Sequence, residues 1–262
     1  MKNVARFTGT EVVKRRSSRR RDILELTVAY GLMLLVIWTP RPWQEMLWFV
    51  TAASILAITC MSFEGLEPMG LRTEHFFDSM WAAGAAMVAA ALGVALASRL
   101  HTLHMPGSPL LFIKHYGLYA VWACVQQLLL QYFSLSRLLR LFSDPTWAAA
   151  VAAAMFAVLH LPSPILTVVT LLCGLLACLL FLRYRNLYTV ALGHAVLGTT
   201  IAICIPGSVI HNMRVGRSYL AYVPQPAPIA ERVDSSQPSI SRQLATQPQL
   251  SWSTRRAGLS RP

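Results

Sequence analysis

Three glutamines sit at the centre of an apolar stretch, Tyr116–Phe133, which reads YGLYAVWACVQQLLLQYF. Gln126, Gln127 and Gln131 cluster on a helix, since residues four apart share a face and direct neighbours lie close. Two histidines, His160 in FAVLH and His194 in NLYTVALGHAVLG, fall in later apolar stretches. An imidazole has an unperturbed pKa near ~6.5 and can serve as a base. An amide donates and accepts hydrogen bonds but takes up no proton at neutral pH. At membrane depth such groups face a bundle interior or a wet cavity, and an ionisable one marks a candidate functional site. The amides could be glue between helices, each contributing about 0.6–2 kcal/mol, with both histidines structural. Alternatively, three helices deliver amides and imidazoles to a common depth, where they form a site.

Composition sets the frame that must hold these groups. Of 262 residues, 55% are hydrophobic and 13% charged, with a mean hydropathy of +0.49. These values exclude an ordinary soluble domain and indicate a polytopic membrane protein. Carboxylates are sparse where they would matter: between Asp78 and Glu231 the only one is Asp144, in a turn before Pro145. The net charge of +12 lies mostly in the N-terminal segment, with Lys14, Arg15, Arg16, Arg19, Arg20 and Arg21, and in the tail after Arg214. A basic run beside a hydrophobic span is a topology signal or an anionic-lipid contact, so no nucleic-acid partner is expected. Cys60, Cys124, Cys173, Cys178 and Cys204 lie in apolar stretches without CxxC spacing and read as packing.

In chain order, residues 1–22 form a basic segment expected to stay cytoplasmic. The run from Ile23 to Thr39 is too long for a signal-peptide core and reads as a retained anchor. Further spans are expected near 43–61, 79–97, 116–133, 146–161, 165–182 and 187–205, separated by polar, proline-bearing or arginine-bearing turns. The expectation is an all-α transmembrane helix bundle of about seven spans over residues 23–206. A basic, Pro-, Gln- and Ser-rich tail, 207–262, is expected to be disordered. Seven spans put the Arg137/Arg140 and Arg183/Arg185 turns inside, as the positive-inside rule asks, but leave the side of the tail open.

The order QQLLLQ, FAVLH, NLYTVALGHAVLG resembles the CPBP family of intramembrane proteases, which includes CAAX prenyl endopeptidases and bacteriocin-processing proteins. That family shows a Glu-Glu-x-x-x-Arg helix, then Phe-x-x-x-His, then His-x-x-x-Asn or a small residue. Here Gln126 and Gln127 stand for the paired glutamates and Gln131 for the arginine. Phe156 and His160 match the second motif, and His194 the third, with Gly198 where asparagine is usual. The resemblance covers about 116–205.

The resemblance implies hydrolysis of a peptide bond near a membrane-anchored segment of a protein or peptide substrate, in the bacterial inner membrane. It implies activated water and preplaced donors for the developing oxyanion. His160 is the expected base, His194 the expected oxyanion donor, and Phe156 and Gly198 line the substrate. The departure falls on the decisive residue, since glutamine cannot take the proton that a glutamate would, and general-base catalysis contributes about 10²–10⁴-fold. The replacement is charge-compensated, because both the negative and the positive groups are lost together. Two outcomes stay open: a remodelled protease using a histidine base, with Gln126, Gln127 and Gln131 orienting water or substrate, or an inactive member that binds a membrane protein or peptide in the same cavity. No cofactor is expected. A divalent metal at His160 and His194 would have two of the three protein ligands usual for catalytic zinc. A transporter would show an internal repeat, and none is visible.

Overall fold

The structure is a computed structural model that describes residues 19–63, 65–71 and 73–223. Lys14, Arg15 and Arg16 of the basic segment, Glu64 of the acidic loop, and the tail from Pro224 lie outside the described residues.

The described residues form helices and no strands. Apolar runs in hydrocarbon have no water to satisfy backbone groups, so each must close its hydrogen bonds within itself. The long elements are α1 (Arg19–Trp38), α2 (Trp43–Met61), α3 (Phe76–Arg99), α4 (Pro109–Gln127), α6 (Pro145–Val158), α7 (Pro164–Tyr184) and α8 (Leu187–Cys204). Between α4 and α6 the helix runs on through a π-helical segment, Leu128–Leu135, into a short α5 (Ser136–Leu141).

Helix starts follow local chemistry. Ser108 Oγ accepts from the Leu111 amide before Pro109, and Asp144 accepts from the Thr146 amide before Pro145. Asn186 Oδ1 accepts from the Thr189 amide at the start of α8. Each side-chain oxygen satisfies a first-turn donor that the helix itself leaves open, and proline fits the first position because its missing N–H is not needed there.

Four of the described helices are long and apolar enough to cross a membrane: α2, α3, α7 and α8. The expected count of about seven is not reached by this measure, for identifiable reasons. The start of α1 carries Arg19, Arg20, Arg21, Asp22 and Glu25. The α4 window is diluted by Lys114, His115 and the glutamines. With 14 residues, α6 extends only about 21 Å, short of a hydrocarbon core of about 30 Å.

Within the bundle, α8 packs against α3 and α4, and α6 pairs with α7. Gly174 makes the α6/α7 approach close: an added Cβ there would meet Phe156 at 3.3 Å and Ala153 at 3.6 Å. The charged start of α1 docks on α5. Arg137 pairs with Glu25 at 2.7 Å and Arg140 with Asp22 at 2.6 Å. The α5 arginines, expected as a basic turn, are thus neutralised by acids more than a hundred residues upstream.

Residues 207–223 were expected to begin a disordered tail, and here the structure differs. They fold into two short helices, α9 (Gly207–Ile210) and α10 (Gly216–Leu220), joined by a 3-10 turn. His211 stacks on Tyr219 and Tyr222, with ring centroids 3.9 and 4.7 Å away. The Gly216 amide donates to the Leu161 carbonyl at 2.7 Å, which ties this segment to the turn that carries His160.

Candidate active site

Gln127 ends α4, and Gln131 lies one turn on, inside the π-helical segment. Both are almost completely buried. Gln131 Nε2 donates to Gln127 Oε1 at 3.0 Å, and Gln127 Nε2 bonds His194 Nδ1 at 2.9 Å. Gln131 Oε1 has no hydrogen-bond partner among the described residues. A π-helical turn widens the helix and recurs at functional sites. Here it begins at the residue after Gln127.

The chain of amides fixes the state of His194. The Gln127 oxygen is occupied by the Gln131 N–H, so the Gln127 NH₂ faces the imidazole and must donate. His194 Nδ1 is then the acceptor, and a neutral ring carries its proton on Nε2.

His160 follows α6 in a tight turn, where its amide donates to the Ala157 carbonyl and the Ser163 amide donates back to the His160 carbonyl. Its Nδ1 lies 2.8 Å from the Phe156 carbonyl oxygen. A carbonyl can only accept, so Nδ1 carries the proton and Nε2 keeps its lone pair. The two rings therefore present opposite faces: a proton acceptor at His160 Nε2 and a donor at His194 Nε2.

Phe156 ties the pair together. Its buried ring meets His160 edge-on at 4.8 Å between centroids and His194 at 5.9 Å. Both histidines are half-buried. Gln127, Gln131, Phe156, His160 and His194 thus come together from α4, the π-helical segment, the end of α6 and α8. Gln126 does not join them by hydrogen bonding: it is half-buried and bonds to none of the described residues. Gly198, buried one turn beyond His194, borders the site through a residue missed by the sequence reading. A Cβ at Gly198 would coincide with the hydroxyl of Tyr119, whose ring packs edge-on to His194 at 6.4 Å. The signal for Tyr119 was present in the spacing. Tyr119, Ala123 and Gln127 recur every four residues, and fully buried Ala123 marks that face as interior.

No carboxylate pairs with Gln127, Gln131, His160 or His194 among the described residues. Glu45, the upstream acid that could have folded in, is exposed on α2. Nor do three His, Cys, Asp or Glu side chains converge anywhere among the described residues.

Residues 108–200 match the family model of the type II CAAX prenyl endopeptidases, Rce1-like. The likeness is confined to this segment, about a third of the chain. The segment contains all three glutamines, Phe156, both histidines and Gly198, and it starts at the Ser108 cap of α4. No curated protein and no solved structure matches the chain. The Rce1-like family is a family of membrane proteases.

Proposed function

We propose that this chain is an intramembrane endopeptidase in which His160, not a glutamate, is the base. One observation carries the reading: the two imidazoles beside Phe156 make hydrogen bonds of opposite sense. Water gives a proton to His160 Nε2 as its oxygen adds to the substrate carbonyl. The oxyanion that forms meets the His194 Nε2–H. On collapse the C–N bond breaks, and His160 returns the proton to the leaving amine, leaving a new carboxyl and a new amino terminus. Gln127 and Gln131 do not touch the reacting atoms; they hold His194 in the donor state. The substrate is a protein or peptide anchored in the membrane next to the scissile bond. By the same family likeness the protein works in the bacterial inner membrane, and its basic N-terminal flank keeps that terminus cytoplasmic.

A second reading is favoured by the neutrality of the site, since no carboxylate pairs with its four polar residues. In it the cavity holds a membrane segment without cutting it. One experiment separates the two. Wild type and the Gln126→Glu/Gln127→Glu variant are reconstituted in lipid and offered a library of membrane-anchored peptides. Cleavage by wild type that is lost in His160→Ala supports the proposed mechanism. Cleavage only by the glutamate-bearing variant establishes the binding reading and rules out His160 as a sufficient base.

A further inference from the structure

We propose that Tyr119 is a second oxyanion donor, taking the place left by the glycine at position 198. The inference deepens the endopeptidase reading and rests on it.

Three observations converge. First, position 198 has no side chain, although the third motif offers an asparagine or a small residue there. Second, the space where its Cβ would lie holds the Tyr119 hydroxyl, delivered from α4 on the facing side. Third, that hydroxyl bonds to none of the described residues, although its ring is half-buried against His194. A phenol that merely filled space would do as well without its oxygen. The Tyr119 O–H stands beside His194 and is free to donate to a group bound there. One turn of α8 separates Gly198 from His194, and the Tyr119 ring meets the His194 ring edge-on at 6.4 Å, so the phenol and the imidazole stand side by side. A tetrahedral oxyanion accepts several hydrogen bonds, and two fixed donors stabilise it better than one. Loss of one such donor typically lowers kcat by about 10²–10³.

The chain thus moves one hydrogen-bond donor from α8 to α4. Gly198 is required by the exchange, because any Cβ there would collide with the phenol.

The test compares two farnesylated peptides that share a sequence and differ at the scissile bond, titrated against the full chain in lipid nanodiscs. One carries a phosphinate, tetrahedral and anionic. The other carries a hydroxyethylene group, tetrahedral and neutral. Wild type is expected to bind the phosphinate at least about 10-fold tighter. Tyr119→Phe, which keeps the ring, is expected to erase that preference. Equal weakening of both peptides in Tyr119→Phe would reduce Tyr119 to packing and overturn the proposal. So would an unchanged preference, or no preference in wild type. If Tyr119→Phe fails to fold, 3-fluorotyrosine at position 119 decides: its more acidic hydroxyl should raise the phosphinate preference, and an unchanged ratio overturns the proposal. Cleavage of the parent amide peptide tests the endopeptidase reading separately. A Tyr119-dependent preference without cleavage sinks hydrolysis and keeps the donor; cleavage with a Tyr119-independent preference does the reverse.

Discussion

Gln127 donates an amide hydrogen to Nδ1 of His194 over 2.9 Å, which commits the proton of the neutral imidazole to Nε2. The relation inverts what a glutamate at the same position would impose. An ionised carboxylate only accepts, so it would hold the proton on Nδ1 and turn Nε2 into an acceptor. Exchanging glutamate for glutamine therefore changes the role of the facing histidine as well as removing a base. His160, held by the Phe156 carbonyl, keeps a free Nε2 lone pair without any carboxylate.

That logic predicts two distinct tautomers. In ¹⁵N-histidine spectra of the protein in nanodiscs near pH 8, His160 should show the Nδ1–H form and His194 the Nε2–H form. Gln127→Glu should convert His194 to the Nδ1–H or doubly protonated form and leave His160 unchanged. An Nε2–H tautomer at His160 would remove its candidacy as base.

Turnover should separate the base from its neighbours. With a cleavable membrane-anchored peptide, His160→Ala should lower kcat by about 10²–10⁴, the usual worth of a positioned general base. Gln127→Leu should lower kcat less, because His194 keeps its ring while losing its orientation. Thermal unfolding in detergent checks that both variants remain folded. Equal rates for His160→Ala and wild type would end the proposed mechanism.

The sequence made the interior of the site legible and left its rim hidden. His160 and His194 stand out because an imidazole in an apolar run is rare, and Gln127 and Gln131 because four-residue spacing survives into the folded helix. The helices carry the same legibility: α2 occupies Trp43–Met61 as its apolar run predicts. Tyr119 shares its four-residue spacing with Ala123 and Gln127, but aromatic residues in a span are ordinarily lipid-facing or packing groups, and its contact with Gly198 is what distinguishes it. The widened turn at Leu128–Leu135 leaves no mark that hydropathy can register. The pairing of α1 acids with α5 arginines was hidden for another reason: it joins residues far apart in the chain, and the arginines alone looked like a topology signal.

This pairing carries its own stability prediction. The Arg137 side chain is 3% exposed and that of Glu25 11%, and Arg137 also donates to Ser62 Oγ and the Phe133 carbonyl. Removing one member leaves a buried charge without its counter-ion, which typically costs about 3–5 kcal/mol. Glu25→Ala should accordingly lower the unfolding temperature clearly, and Glu25→Leu/Arg137→Met should lower it less. A single variant as stable as wild type would show that the pair is solvated in the membrane-bound protein.

The contact between Gly198 and Tyr119 makes a sharper claim, because it couples two helices through one missing side chain. Gly198→Ala puts a methyl where the phenol oxygen lies, so either the ring turns away or α4 and α8 separate. Overpacking of this kind typically costs about 1–3 kcal/mol. Tyr119→Phe alone should be nearly neutral for folding, since the hydroxyl it removes bonds to no described residue. Combined with Gly198→Ala it should recover part of the loss but not all, because ring carbons of Tyr119 also crowd the position. Contacting residues show coupling energies of about 0.5–3 kcal/mol in a double-mutant cycle. Thermal unfolding of the four proteins in the same micelles measures it. Additive losses would mean that the phenol does not rest on Gly198, and the space for a donor beside His194 would have to be filled from elsewhere.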